Sequence, residues 1–175
     1  MLICFGRLPW CAERIFYMSD LSRYGIDPSK GRKYENIVYV MALVYEEYMD
    51  IMSKYLSKYG LSPAKFNLLI VVQYQGGNNG ISQVAISERL IVSAGNITGL
   101  VERLVKEGLL TRRQNPRSRR ENIIKTTPKA AKLIEDLWPG YDALVKKLTD
   151  IIPAKDRPHF AKTLENWFEG IKKSG

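Results

Sequence analysis

ISQVAISERLIVSAGNITGLVERLVKEGLLTRRQNPRSRRENIIKTTPKA, running from Ile81 to Ala130, is the stretch that decides how this chain folds. Ser82 stands where a helix N-cap is expected, ahead of a segment carrying Val84, Ala85 and Leu90. Ile91-Val92 make a turn, and Ser93 caps a second segment from Ala94 to Glu107. In that segment Ile97, Leu100, Val101, Leu104 and Val105 recur at steps of three and four, which is the apolar face of a helix. Gly108 ends it. Leu109 to Arg113 and Glu121 to Thr126 then read as two strands around the turn NPRSR at 115–119. Helix, turn, helix and two-stranded wing make a winged helix-turn-helix.

The same stretch concentrates charge. Between Arg103 and Lys132 there are ten Lys or Arg against two acids, Glu107 and Glu121, so eight of the chain's nine net positive charges lie there. A uniformly basic chain would suggest only loose adhesion. A basic segment beside a near-neutral body marks a docking surface, and its usual partner is a nucleic acid, whose phosphates exchange condensed counterions for Lys and Arg.

Working outward, residues 34–59 place Ile37, Met41, Val44, Tyr48, Ile51 or Met52, Tyr55 and Tyr59 on one helical face, and Gly60 ends the helix. Ser62-Pro63 is a cap followed by proline at the first helical position, opening a helix to about Gln75 that turns Phe66, Leu69, Ile70 and Val72 or Gln73 inward. GGNNG at 76–80 is a loop. Thr127-Pro128 repeats the cap-and-proline signal before a long helix, in which Pro139-Gly140 predicts a kink. Pro153 and Pro158 bound a last helix with Phe160, Leu164, Trp167, Phe168 and Ile171.

The expected organisation is an N-terminal arm at 1–33, a dimerisation helix at 34–60, the winged helix-turn-helix at 61–127 and C-terminal dimerisation helices at 128–175. The fold class is mainly α with a small β-wing. In the arm a short helix fits between Glu13 and Tyr24, and Met18 is a second candidate start. The terminal helices carry more apolar face than one small lobe can bury. That predicts a homodimer through Val44, Tyr48, Leu164, Trp167 and Phe168.

Other classes find little support. The apolar runs are far shorter than the roughly 20 residues of a membrane span. The N-terminus reads as neither a signal-peptide core nor a lipoprotein signal, so a cytoplasmic location is expected. Two cysteines and one histidine make neither a disulfide scaffold nor a zinc site. No nucleophile–base set, catalytic carboxylate pair or phosphate loop is present, so neither an enzyme nor a cofactor is expected.

With these residues in view, the chain resembles the multiple-antibiotic-resistance regulator (MarR) family over about residues 34–171. LSPAKFNLLIVV (61–72) is similar to the first helix of that family's DNA-binding lobe. Residues 81–110 are similar to its helix-turn-helix, and TRRQNPRSRRENIIKTTPKA (111–130) to its wing. Three positions depart from the family pattern. Ser118 stands where an aspartate orients the wing arginine, Ala130 replaces the glycine after the wing, and Ile91 replaces the glycine of the turn. The resemblance implies a sequence-specific transcriptional regulator that binds an inverted-repeat (palindromic) double-stranded operator as a homodimer, with a ligand-responsive repressor as the expected form.

Candidate DNA contacts follow. Ser93, Ala94, Asn96 and Thr98 sit in the N-terminal half of the recognition helix, which approaches the major groove. Asn96 has the donor and acceptor that an adenine edge requires, and Thr98 suits a thymine methyl or a phosphate. Arg103 reaches a phosphate or pairs with Glu107 one turn on. Arg117, Arg119 and Arg120 surround the wing tip, and the resemblance gives Arg120 the minor-groove role. Tyr45, Tyr48 and Tyr55 are candidates to line a pocket for an aromatic effector, although a dimer core explains them equally well. Cys4 and Cys11, near Arg7 and Arg14, are candidates for a thiol sensor. A redox regulator and an effector-free architectural DNA-binding protein are the rival readings.

Overall fold

The computed structural model describes Tyr24 and residues 34–90, 97–116 and 118–174, the side chains of 118–120 excepted. The expected arm helix, Cys4, Cys11, Met18, the turn at Ile91-Val92, and Ser93, Ala94, Asn96 and Arg117 lie outside the described residues. So do the side chains of Arg119 and Arg120.

The helices are α1 (Glu35–Ser57), α2 (Pro63–Gly76), α3 (Gln83–Ser87), α4 (Ile97–Lys106), α5 (Pro128–Thr149) and α6 (Arg157–Ser174). The strands are β1 (Ile81–Ser82), β2 (Leu110–Asn115) and β3 (Ser118–Thr126). Mostly helix with one small antiparallel sheet among the described residues, this is the expected class. Two compact units divide the chain, residues 1–52 and 53–175.

In the second unit, three helices open on the caps read from sequence. The Ser62 hydroxyl accepts from the Lys65 amide at 3.3 Å, that of Ser82 from Ala85 at 3.1 Å, and that of Thr127 from Ala130 at 3.2 Å. Each satisfies an amide that the first helical turn leaves without a partner. Thr127 also donates to the Gly108 carbonyl at 2.8 Å, which ties the start of α5 to the end of α4. The core is formed by Leu56, Leu68, Leu69, Val72, Ile86, Val101, Leu104, Leu110, Ile124 and Leu137, all fully buried.

The sheet has one more strand than the sequence reading expected. β1 pairs with β3 (Ile81 opposite Ile124), giving the order β1-β3-β2 with all pairs antiparallel. Gly80 makes this possible. Its φ is +79°, and a Cβ there would lie 2.6–2.7 Å from Ile123, Lys125 and the Ile124 carbonyl. The wing turn is also tighter than expected. Asn115 pairs with Ser118, so only Pro116 and Arg117 lie between the strands, with a register irregularity at Gln114/Asn115.

Helix α5 runs through Pro139 without interruption. Proline removes one backbone donor, and here a side chain also enters the hydrogen-bond ladder. The Tyr55 hydroxyl donates to the Leu137 carbonyl and accepts a hydrogen bond from the Tyr141 backbone amide. Those two groups are the ones a regular helix would bond to each other. The phenol reaches them because residue 140 is glycine. A Cβ at Gly140 would lie 2.5 Å from the Tyr55 oxygen. Burial pushes the Tyr55 pKa up to about 12, helped by its hydrogen bond and charge interaction with the Tyr59 hydroxyl and offset in part by the Tyr141 amide.

Candidate nucleic-acid interface

α4 is the second helix of the helix-turn-helix. Ile97, Leu100, Val101 and Leu104 are buried, as expected, while Val105 is half-buried. The opposite side presents Thr98, Glu102, Arg103 and Lys106 to solvent. In the preceding helix α3 the buried residue is Ile86, and Val84 is 60% exposed.

The described side chains of the basic window divide into two groups. Arg112 faces Glu102 at 3.7 Å, and Lys132 pairs with Asp136 at 2.5 Å, which raises the lysine's pKa. Lys129 donates to the Glu107 carbonyl at 2.8 Å and Lys125 to the Asn78 carbonyl. These four are engaged within the chain. Arg103, Lys106 and Arg113 are exposed and have no hydrogen-bond or ion-pair partner among the described residues. The alternative partner expected for Arg103 is occupied elsewhere, because the Glu107 carboxylate binds Lys65 from α2 at 2.6 Å. The cations left unpaired are thus on the outer side of α4 and on the wing strand beside it. The engaged lysines, by contrast, sit on the wing's return strand and at the start of α5.

Thr98 is the described member of the expected base-reading set. It is exposed, and its hydroxyl accepts a hydrogen bond from Gln83 Nε2 of α3 at 2.8 Å. Gln83 was not singled out from sequence, since a glutamine after a cap serine carries no signal until the two helices are placed side by side. Gln83 and Thr98 border an open cleft with Val84, Ser87, Arg112 and Asn122.

Of the tyrosines, Tyr45 is 50% and Tyr48 37% exposed, and the Tyr55 hydroxyl is engaged with the α5 backbone. Among the described residues no group of His, Cys, Asp or Glu is arranged to hold a metal ion, and no helix is long and apolar enough to cross a membrane.

A helix-turn-helix followed by a paired β-wing defines a winged helix-turn-helix protein. A family model described as the MarR family matches residues 59–121. The chain is 27% identical over 117 residues to the HTH-type transcriptional regulator MhqR of Bacillus subtilis (strain 168), covering 67% of this chain and 79% of that protein. It is 30% identical over 104 residues to the multiple antibiotic resistance protein MarR of Salmonella typhimurium, covering 57% of this chain and 70% of that protein. Among solved structures, a mutant MarR from E. coli complexed with operator DNA superposes with a TM-score of 0.68 at 24% identity, over 77% of this chain and 94% of that one. The chain belongs to the MarR family of transcriptional regulators, which are DNA-binding winged-helix proteins rather than enzymes.

Proposed function

We propose that the protein is a cytoplasmic homodimer that binds an inverted-repeat operator and represses transcription until a small aromatic effector releases it. The observation that carries the DNA-binding geometry is the pair of unpaired cations Arg103 and Lys106 on the exposed side of α4, with Arg113 also unpaired on the wing strand. Like charges held together without intramolecular partners are stabilised by a polyanion. In this reading the start of α4 with Thr98 enters the major groove, together with Ser93, Ala94 and Asn96, which precede it in sequence. Arg117, Arg119 and Arg120 approach the adjacent minor groove, whose negative potential attracts arginine where it is narrow. The operator-bound MarR structure from E. coli supports the same arrangement by likeness of fold.

Dimerisation is supported by apolar helix surface that the monomer leaves open. In the first unit Ile37, Val38, Met41 and Val44 are exposed. In the second, α6 has no buried residue, and Phe160, Leu164, Phe168 and Ile171 are exposed. A second copy covering these faces would remove them from water and set two recognition helices at the spacing of consecutive major grooves. Tyr45 and Tyr48 are the candidates to meet an effector. Ligand release would follow if the effector favoured a spacing that no longer fits the two half-sites.

Selection of bound sequences from a random DNA pool tests this. Enrichment of an inverted repeat is the expected result. Indiscriminate binding would favour the architectural alternative. Salt titrations then test the cation group. Arg103→Ala and Arg113→Ala should each reduce the salt slope by about one counterion and weaken binding evenly across sequences. An unchanged slope would remove that residue from the interface.

A further inference from the structure

We infer that Gln83 is a positioning residue for DNA recognition, fixing the Thr98 hydroxyl as an outward hydrogen-bond donor. Thr98 thereby selects an acceptor on the DNA, either a base-edge acceptor or a phosphate oxygen. The inference rests on the DNA-binding reading above and deepens it at one position.

The argument begins with the hydrogen bond itself. Gln83 Nε2 lies 2.8 Å from Thr98 Oγ1 and donates to it, because the Gln83 Oε1 atom is buried and has no hydrogen-bond partner among the described residues. The reversed amide would accept from Thr98, but it would also bury an NH2 group facing no acceptor among those residues. Orphaned buried donors are rarer than under-satisfied acceptors, so the stated orientation is the better one. A threonine hydroxyl has one proton and two lone pairs. With a lone pair taken by Gln83, the proton turns elsewhere. Thr98 is exposed at the start of α4, beside a cleft that is open to solvent. A donor presented there matches N7 of either purine, O6 of guanine, O4 of thymine or a phosphate oxygen. It does not match the exocyclic amino groups of cytosine and adenine. The rival fate of the proton is a bond back to a carbonyl of the preceding helical turn, a habit of helical threonines.

Four proteins are compared on one selected operator at fixed salt: wild type, Gln83→Met, Thr98→Val and the double variant. The two substitutions are near-isosteric, and thermal unfolding checks that each variant is folded. Gln83→Met and Thr98→Val should each weaken specific binding about three- to tenfold, the range for one hydrogen bond. In the Thr98→Val background, Gln83→Met should add almost nothing. Additive losses would overturn the inference, since Gln83 would then act independently. So would unchanged binding by Thr98→Val, which would mean the proton is spent on its own helix. Gln83→Glu is the second variant, because a carboxylate only accepts and so reverses the hydroxyl. Its loss should exceed that of the same substitution made on Thr98→Val, where only the added charge acts. Equal losses would again overturn the inference.

Repeating the set on operators with single-base changes separates the two sources of the acceptor. A loss confined to one base pair identifies a base edge, and an even loss identifies a phosphate. If wild type itself shows no preference for the selected operator, the DNA-recognition reading fails, and the inference falls with it. If wild type discriminates and the Gln83 variants are unaffected, the inference alone fails.

Discussion

α4 and α6 use their apolar faces in opposite ways. The first is ten residues long and buries Ile97, Leu100, Val101 and Leu104. The second is eighteen residues long and buries none, leaving Leu164 40% and Phe168 59% exposed. Both show helical periodicity in sequence, so periodicity alone does not tell which face is filled by the same chain. In α4 the face meets the core of the winged lobe, and the opposite side is free to carry unpaired cations. In α6 the apolar face is itself the surface on offer. One helix is a part of the fold that displays polar chemistry. The other contributes little to the fold of a single copy.

Substitutions at equivalent leucines should expose that contrast most strongly. Leu104→Ala should cost about 2–5 kcal/mol of unfolding free energy, through lost burial and the cavity left behind. Leu164→Ala should stay within about 0.5 kcal/mol in dilute protein, where a surface substitution has little to lose. Phe168→Asp combined with Leu164→Asp should instead shift the sedimentation of a micromolar sample towards monomer. If the α6 substitutions unfold the protein as Leu104→Ala does, the contrast between the two helices is wrong.

The Tyr55–Gly140 contact gives the next effect. Gly140→Ala would drive a methyl group into a hydroxyl held from both sides by the α5 backbone. A cost of about 1–3 kcal/mol is expected from overpacking. Removing the hydroxyl with Tyr55→Phe should return part of that cost, so the double variant should be more stable than the sum of the two singles implies. Strict additivity in chemical denaturation would show that the two residues do not act on each other.

The smallest expected effect is alkaline. The Tyr55 pKa is about 12 when folded, against 10.0 for an ordinary tyrosine. The folded state therefore holds its proton more tightly than the unfolded state does. That contribution is complete below pH 10 and is lost as pH rises towards 12, where deprotonation removes the donor to Leu137. The wild type should lose more stability than Tyr55→Phe across this window. The variant provides the baseline, because lysines deprotonate in the same range. Parallel curves would show that Tyr55 does not contribute.

Much of this architecture was legible before any coordinates. The caps at Ser62, Ser82 and Thr127, the buried set of α4 and the paired wing all follow from local rules, because each depends on residues within a turn or a strand of one another. Short elements were less legible. α3 spans five residues, too few to show a period, so Ile86 was missed as its buried residue and the exposed Val84 was not foreseen. β1 has two residues and exists only because β3 lies beside it. In α2, Leu68 was missed because neighbouring elements cover more than one face of that helix.

The sequence by itself determined the class of fold, the site of the charge and the positions where helices begin, since period, capping and charge are properties of neighbouring residues. Only the tertiary structure decided which bases of the cluster remain unpaired, because Asn78 and Glu102 engage Lys125 and Arg112 from other elements, and Lys65 of α2 occupies the Glu107 carboxylate that Arg103 could otherwise meet. It also decided that Gln83 meets Thr98 and that a tyrosine from α1 enters the backbone of α5 beside a proline. Such contacts join elements distant in sequence, and they depend on packing distances of a few ångströms that no local pattern encodes.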